Sequence, residues 1–374
     1  MNIRPFALER YFDEQEELSA QYLLSASDPE TLRMDALLAL ADEESFRLWR
    51  NLSLGYTESQ GHLLLRKEVS NLYNDAITPE KVLVCTPEEG IFIAMHALLN
   101  PGDDMIVASP CYQSLYEIAR YMGCTIGWWV PNPVTWRFNP GELPLLKQGT
   151  LKLLVFNFPH NPTGALPSRR EFDEIIMFAR KNDAYIFSDE MYRFLEYDPS
   201  KRLPSVSEVY EKGISLCGMS KIFGFPGLRI GWLTAQDKVV FQRLVRFKDY
   251  TTICSSAPSE ILALMGLRKR DLIVRHNLEI IEKNLNRWHE FCRIRPGLFS
   301  EENPAAGTVI FPRLNSDISI DELCADLHRT KNALLVPASK FHWGGNRFRI
   351  GLGRINFPEA LAVFEEFLRE RQMI

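Results

Sequence analysis

Between Lys81 and Cys217 the chain alternates short, nearly continuous apolar runs with stretches of helical periodicity. The runs Lys81–Cys85, Met105–Ala108, Thr125–Val130, Leu151–Phe156, Ala184–Phe187 and Ile214–Cys217 read as strands. The intervening helices run to about Leu99, to about Met122, and over Arg169–Asn182. A strand that is apolar at successive positions must be buried on both faces, so the pattern predicts an α/β fold with a mainly parallel sheet covered by helices on both faces. Such sheets bind ligands beyond the carboxyl ends of their strands. Tyr112, Asn161, Asp189 and Lys221 each follow a predicted strand and can therefore face one crevice.

The flanking sequence is expected to build the rest. Phe6–Leu24 reads as an amphipathic helix, Asp35–Leu40 as a short one, and His62–Tyr73 as a third with Leu63, Leu64, Val69 and Leu72 on its apolar stripe. Thr86, Pro87 and Glu89 form a strong helix start, with Glu89 placed to fold back as a capping box. After Trp232 the pattern turns helical, and the long helix Asp271–Cys292 bridges to a smaller α/β domain. That domain is expected to hold Thr308–Phe311, a helix Asp321–His328, Ala333–Val336, the strand Phe348–Leu352 and a final helix from Pro358. The expected division is 46–270 as the large domain, with 1–45 and 271–374 as the small one. Arg349 sits in an apolar strand, where a guanidinium must find an anion.

Composition narrows the partners. A chain of 374 residues with 46% apolar content can bury a sizeable core, and a net charge of −5 without a basic cluster argues against nucleic acid or an anionic membrane. A small molecule is the better expectation. Cys85, Cys111, Cys124, Cys217, Cys254, Cys292 and Cys324 are odd in number and never form Cys-x-x-Cys, which suggests neither a disulfide framework nor a metal site and points to the cytoplasm. No apolar run is long enough to span a membrane.

The stretch Gly218–Trp232 carries the chemistry. Lys221 is hemmed by Ile222, Phe223, Phe225 and Leu228, and desolvation favours a neutral amine, as a Schiff-base nucleophile requires. Arg229 lies between Gly227 and Gly231, so backbone can approach closely while the guanidinium grips an anion such as phosphate.

Five motifs in order, Tyr56-x-x-x-x-Gly61, Pro110-x-Tyr112, Asn161-Pro162-Thr163-Gly164, Asp189-Glu190-x-Tyr192 and Ser220-Lys221 followed by Arg229, resemble the fold-type I pyridoxal 5'-phosphate enzymes, specifically the class I/II aminotransferases. The resemblance runs from about Gly55 to Arg349. Asn157–Pro162, Pro226–Arg229 and Lys248–Thr251 also resemble capreomycidine synthase and arginine-processing relatives. What the resemblance implies is a cofactor held on Lys221, which also shuttles the proton at the substrate Cα. Asp189 would pair with the pyridine nitrogen, Tyr192 and Asn161 would bond its phenolic oxygen, and Tyr112 would stack on the ring. Ser220 would contact the cofactor, while Arg229 and the helix end at Glu88 and Glu89 would hold the phosphate, joined by Tyr56 from a second subunit of a homodimer. Arg349, beside Asn161, would hold the substrate α-carboxylate.

Two departures from the family pattern stand out. Pro87, Glu88 and Glu89 occupy a position usually rich in glycine and small residues, so both carboxylates are expected to point away from the phosphate. Gly218 replaces a frequent hydroxyl, for which Ser255 or Ser256 could substitute. His160, His342 and Trp343 are candidates for the pocket border. The reaction expected is transfer of an amino group from an α-amino acid to a keto acid, with elimination, cyclisation or oxidation of an amino acid as the alternative. A ligand-sensing regulator on this fold would need a DNA-binding domain, for which the 374 residues are read as leaving no room.

Overall fold

The computed structural model describes residues 2–15, 19–144, 146, 150–300 and 302–374. Seven strands, β1 (Val82–Cys85), β2 (Asp104–Ala108), β3 (Thr125–Trp129), β4 (Leu151–Asn157), β5 (Tyr185–Asp189), β6 (Gly213–Gly218) and β7 (Gly231–Ala235), form one sheet in the order β1-β7-β6-β5-β4-β2-β3. The pairs among β2 to β6, and β2 with β3, are parallel; β7 runs antiparallel to both β6 and β1. Alternate residues feed the two faces. Leu83, Leu153 and Val155 pack with Ile93 and Leu115 on one side, while Leu154, Phe156 and Ile186 pack with Phe172 and Ile175 on the other. The fold is therefore the expected α/β sheet with helices on both faces.

β7 corrects the reading that the chain turns helical after Trp232. The run Gly-Trp-Leu-Thr-Ala is short and merges in sequence with the helix Lys238–Lys248, so periodicity does not separate them. Its central Trp232 is fully buried and donates Nε1–H to the Tyr73 hydroxyl at 2.8 Å.

A second sheet consists of β8 (Val309–Ile310), β9 (Val336–Pro337) and β10 (Phe348–Gly351), antiparallel in the order β8-β10-β9. Trp288 from the long helix Arg270–Arg293 packs there with Phe348 and Phe364. The expected helix over Phe6–Leu24 is cut short: among the described residues it spans Ala7–Glu14. Tyr22 forms a parallel bridge with Ala333. Leu24, read as the end of that helix, is instead anchored in the Trp288 cluster, whereas Leu37 packs beside Leu65 and Trp232. Ala333–Val336 likewise contributes only the end of its run to β9.

Candidate active site

The carboxyl ends of β4, β5 and β6 build one wall of a cavity of about 550 Å³. Asn157, the last residue of β4, fixes two loops at once: its Nδ2–H donates to the Asp189 carbonyl at 2.8 Å and its Oδ1 accepts the Asn161 amide at 2.8 Å. Asp189, ending β5, is buried and accepts the Met191 amide at 3.1 Å. Burial pushes its carboxyl up to about 6, against the Met191 hydrogen bond and the charge of Lys221. Lys221 stands on the single-turn helix Met219–Ile222 immediately after β6, and its Nζ donates to the Ser27 hydroxyl at 2.9 Å.

The opposite wall comes from the second sheet. Arg349 on β10 is 1% exposed, donates to the Ser25 carbonyl at 2.7 Å, and reaches Asn161 Oδ1 at 3.4 Å. Tyr192 donates to the Ser27 carbonyl at 3.2 Å, and burial pushes its hydroxyl up to about 12 despite the field of Arg349. Tyr112 lines the cavity with Phe6 at 4.6 Å on its ring and its hydroxyl donating to Glu9 at 2.6 Å. Ser220 is buried on the same lining, while Arg229 is exposed at its rim in a left-handed conformation, φ 55°, with one N–H on the Pro226 carbonyl.

Several expectations are redistributed. Glu89 forms the capping box with Thr86 and takes the hydroxyls of Thr251 and Thr252, with Lys248 at 3.7 Å; its side chain and amide are both engaged, and it does not line the cavity. Glu88 departs from the expectation that it points away: it enters the cavity and accepts the Ser114 hydroxyl at 3.2 Å. Burial, with Glu9 and Asp189 nearby, pushes it up to about 7, against Ser114 and Arg229. Tyr56 stays out of the cavity of its own chain and is 93% exposed. His160 is a core residue held between Thr163 and the Pro110 carbonyl, and neither it nor His342 or Trp343 lines the cavity. Ser255 and Ser256 are also elsewhere, bonding Val84 and capping the helix Ala257–Arg268.

Gly231 is needed, but for strand packing: an added Cβ would meet the Cys217 carbonyl at 2.6 Å and Pro87 at 3.0 Å. At Gly227 a Cβ would meet nothing within 4 Å, so no close approach is made there. Gly218 faces Gly231 across β6 and β7, where a side chain would crowd the Ile230 carbonyl at 3.1 Å.

Sequence reasoning missed the segment 23–28, whose Leu23, Ala26, Ser27 and Asp28 line the cavity, and Glu9, which lines it too. The available signal was Gly351 and Gly353. A Cβ on Gly351 would overlap the Ala26 carbonyl and one on Gly353 would lie 2.6 Å from the Asp28 carbonyl, because this segment crosses directly over the end of β10. The Gly351 amide bonds the Leu24 carbonyl at 2.6 Å.

The donor set is a buried carboxylate beside an amine, an amide, two phenols and guanidinium groups lining one cavity, which suits a cationic heteroaromatic ring bearing a phosphate. Comparisons with known proteins agree. The family described as aminotransferase class I and II matches residues 20–359. Capreomycidine synthase of Streptomyces vinaceus is 28% identical over 96% of this chain and 91% of its own. The aspartate aminotransferase of Thermotoga maritima is 28% identical over 88% and 87%. The crystal structure of a PLP-dependent aminotransferase from Streptococcus suis superposes with a TM-score of 0.91 at 29% identity, covering 99% of both chains. The chain belongs to the aminotransferase class I and II family, whose members use pyridoxal 5'-phosphate.

Proposed function

We propose that this protein is an aminotransferase that moves an amino group from an α-amino acid to a keto acid, acting as a cytoplasmic homodimer with 46–270 as its cofactor domain. The observation that carries the reading is the convergence of Lys221, Asp189 and Arg349 on one cavity from two different sheets. Lys221 would hold the cofactor, Asp189 its ring nitrogen, and Asn161 with Tyr192 its phenolic oxygen. Tyr112 would lie on the ring, Ser220 would contact the cofactor, and Arg229, the helix end at Glu88 and the partner's Tyr56 would take the phosphate. When bound, the group supplies a cationic ring that accepts the electron pair released at the substrate Cα. Arg349 binds the substrate α-carboxylate and so fixes which Cα bond faces Lys221. Lys221 would take the Cα proton and, as general acid, deliver it to the cofactor's C4', a role suited to an amine in a partly desolvated site. Asp189, already desolvated, keeps its charge once a cation sits beside it.

The relative of Streptomyces vinaceus supports keeping a second reading, elimination, cyclisation or oxidation of an amino acid with the same residues. Borohydride reduction and peptide mapping should place the cofactor on Lys221; modification of another lysine overturns the assignment. Without keto acid, transamination predicts one keto acid released per site in a single turnover. Ammonia, hydrogen peroxide or a cyclised product over many turnovers selects the second reading.

A further inference from the structure

We propose that Glu9 and Glu88 form a subsite for a positively charged substrate side chain, so that the preferred amino acid carries an amine or guanidine at its far end. The inference rests on the reading of the cavity as an amino-acid site and goes on to name the substrate class. The charges of the cavity lining can be assigned one by one. Arg354 pairs with Asp28 at 3.0 Å, Asp189 lies beside Lys221, Arg349 is reserved for the α-carboxylate and Arg229 stands at the rim. Glu9 and Glu88 remain. Their contacts are neutral hydroxyls, Tyr112 on Glu9 and Ser114 on Glu88, and among the described residues neither carboxylate closes an ion pair. They come from separate elements, and Tyr112 lies in the field of both and of Arg349.

Glu9 is not carried on a loose tail. Gln113 accepts the Ala7 amide at 2.8 Å and donates to the Pro5 carbonyl at 2.9 Å, the Arg4 amide reaches Glu117, and Phe6 rests on Tyr112. Leu8 and Phe12 from the same helix, with Ile91 below, give the subsite apolar walls. Apolar walls leading to carboxylates match the methylene stem and charged head of a lysine- or arginine-like chain. A second carboxylate on the substrate would instead meet like charge. A site built to bond a charged group also discriminates against an isostere lacking it, because its own polar groups are then left unpaired.

The test is consumption of arginine, its neutral isostere citrulline, and glutamate by the cofactor-loaded protein, whichever product forms, with calorimetric binding of each as a second readout. Arginine is expected to exceed citrulline at least tenfold in kcat/KM and in affinity, and glutamate at least a hundredfold. Glu88→Gln and Glu9→Gln should each cut the advantage over citrulline about tenfold, and in Glu9→Gln the use of citrulline itself should change less than threefold. Equal use of arginine and citrulline, or a preference for glutamate, overturns the subsite without any variant being needed. A loaded protein that binds none of the three overturns the subsite, whereas the proposed function falls only if the cofactor is not on Lys221 or no amino acid yields its keto acid.

Discussion

Glu88 holds a carboxyl raised to about 7 by burial and by its neighbours Glu9 and Asp189, with Ser114 bonded to it and Tyr112, Lys221 and Arg229 also facing the cavity. A cationic side chain binds the ionised form, so the arginine-over-citrulline ratio should climb from pH 6 to pH 8 as Glu88 loses its proton. The Asp189 titration acts on both substrates alike and cancels in the ratio. Steady-state kinetics of the two amino acids across that range check the slope, and in Glu88→Gln the ratio should become flat. Arg349→Ala should raise KM for every amino acid by roughly 30- to 150-fold, the equivalent of about 2 to 3 kcal/mol for a lost charge-assisted pair. An unchanged KM would move the carboxylate site elsewhere. Lys221 and Asp189 were legible because each lies directly after an apolar strand, where local pattern and topology coincide. Glu9 was not, since nothing in its own neighbourhood shows that Tyr112 is its partner across the fold.

Among the elements, the segment 23–28 explains how the second sheet contributes to the site. It bonds the end of β10 through the Leu24 carbonyl, supplies the Ser25 carbonyl to Arg349, and presents Ser27 to both Lys221 and Tyr192. Gly351→Ala should therefore destabilise the protein by about 1 to 3 kcal/mol, the usual effect of overpacking, and lower activity as well, because the Ala26 carbonyl must move. Gly227→Ala, with open space and no positive φ, should leave the thermal midpoint and activity nearly unchanged. Thermal unfolding of the pair distinguishes a close backbone approach from a glycine that is merely tolerated. The parallel strands were legible because both their faces are apolar. β7 and the segment 23–28 were not, since the first is a five-residue run joined to a helix and the second is held by Tyr192, Lys221, Thr308 and Arg349, all far away in sequence.

At the scale of the whole molecule, the site of a single chain lacks one of its expected residues. Tyr56 is 93% exposed outside its own cavity, and Leu54, Tyr250 and Ile253 are exposed on neighbouring segments tied together by Ser59 to Asp249 and Thr57 to the Ser255 carbonyl. Exposed large apolar side chains grouped in this way are what a second copy would cover. Light scattering should give about twice the 43.1 kDa chain mass. A mixing experiment then decides whether Tyr56 acts across the interface. In a hybrid of a Tyr56→Phe chain and a Lys221→Ala chain, one site combines the intact lysine of the first with the intact tyrosine of the second, and the other site lacks both. Action in trans predicts that mixing impaired parents restores one fully working site per hybrid dimer. If Tyr56 acted within its own chain, every hybrid site would carry a defect, and the mixture would be no more active than the average of its parents. A fully active monomer would remove the need for any partner tyrosine.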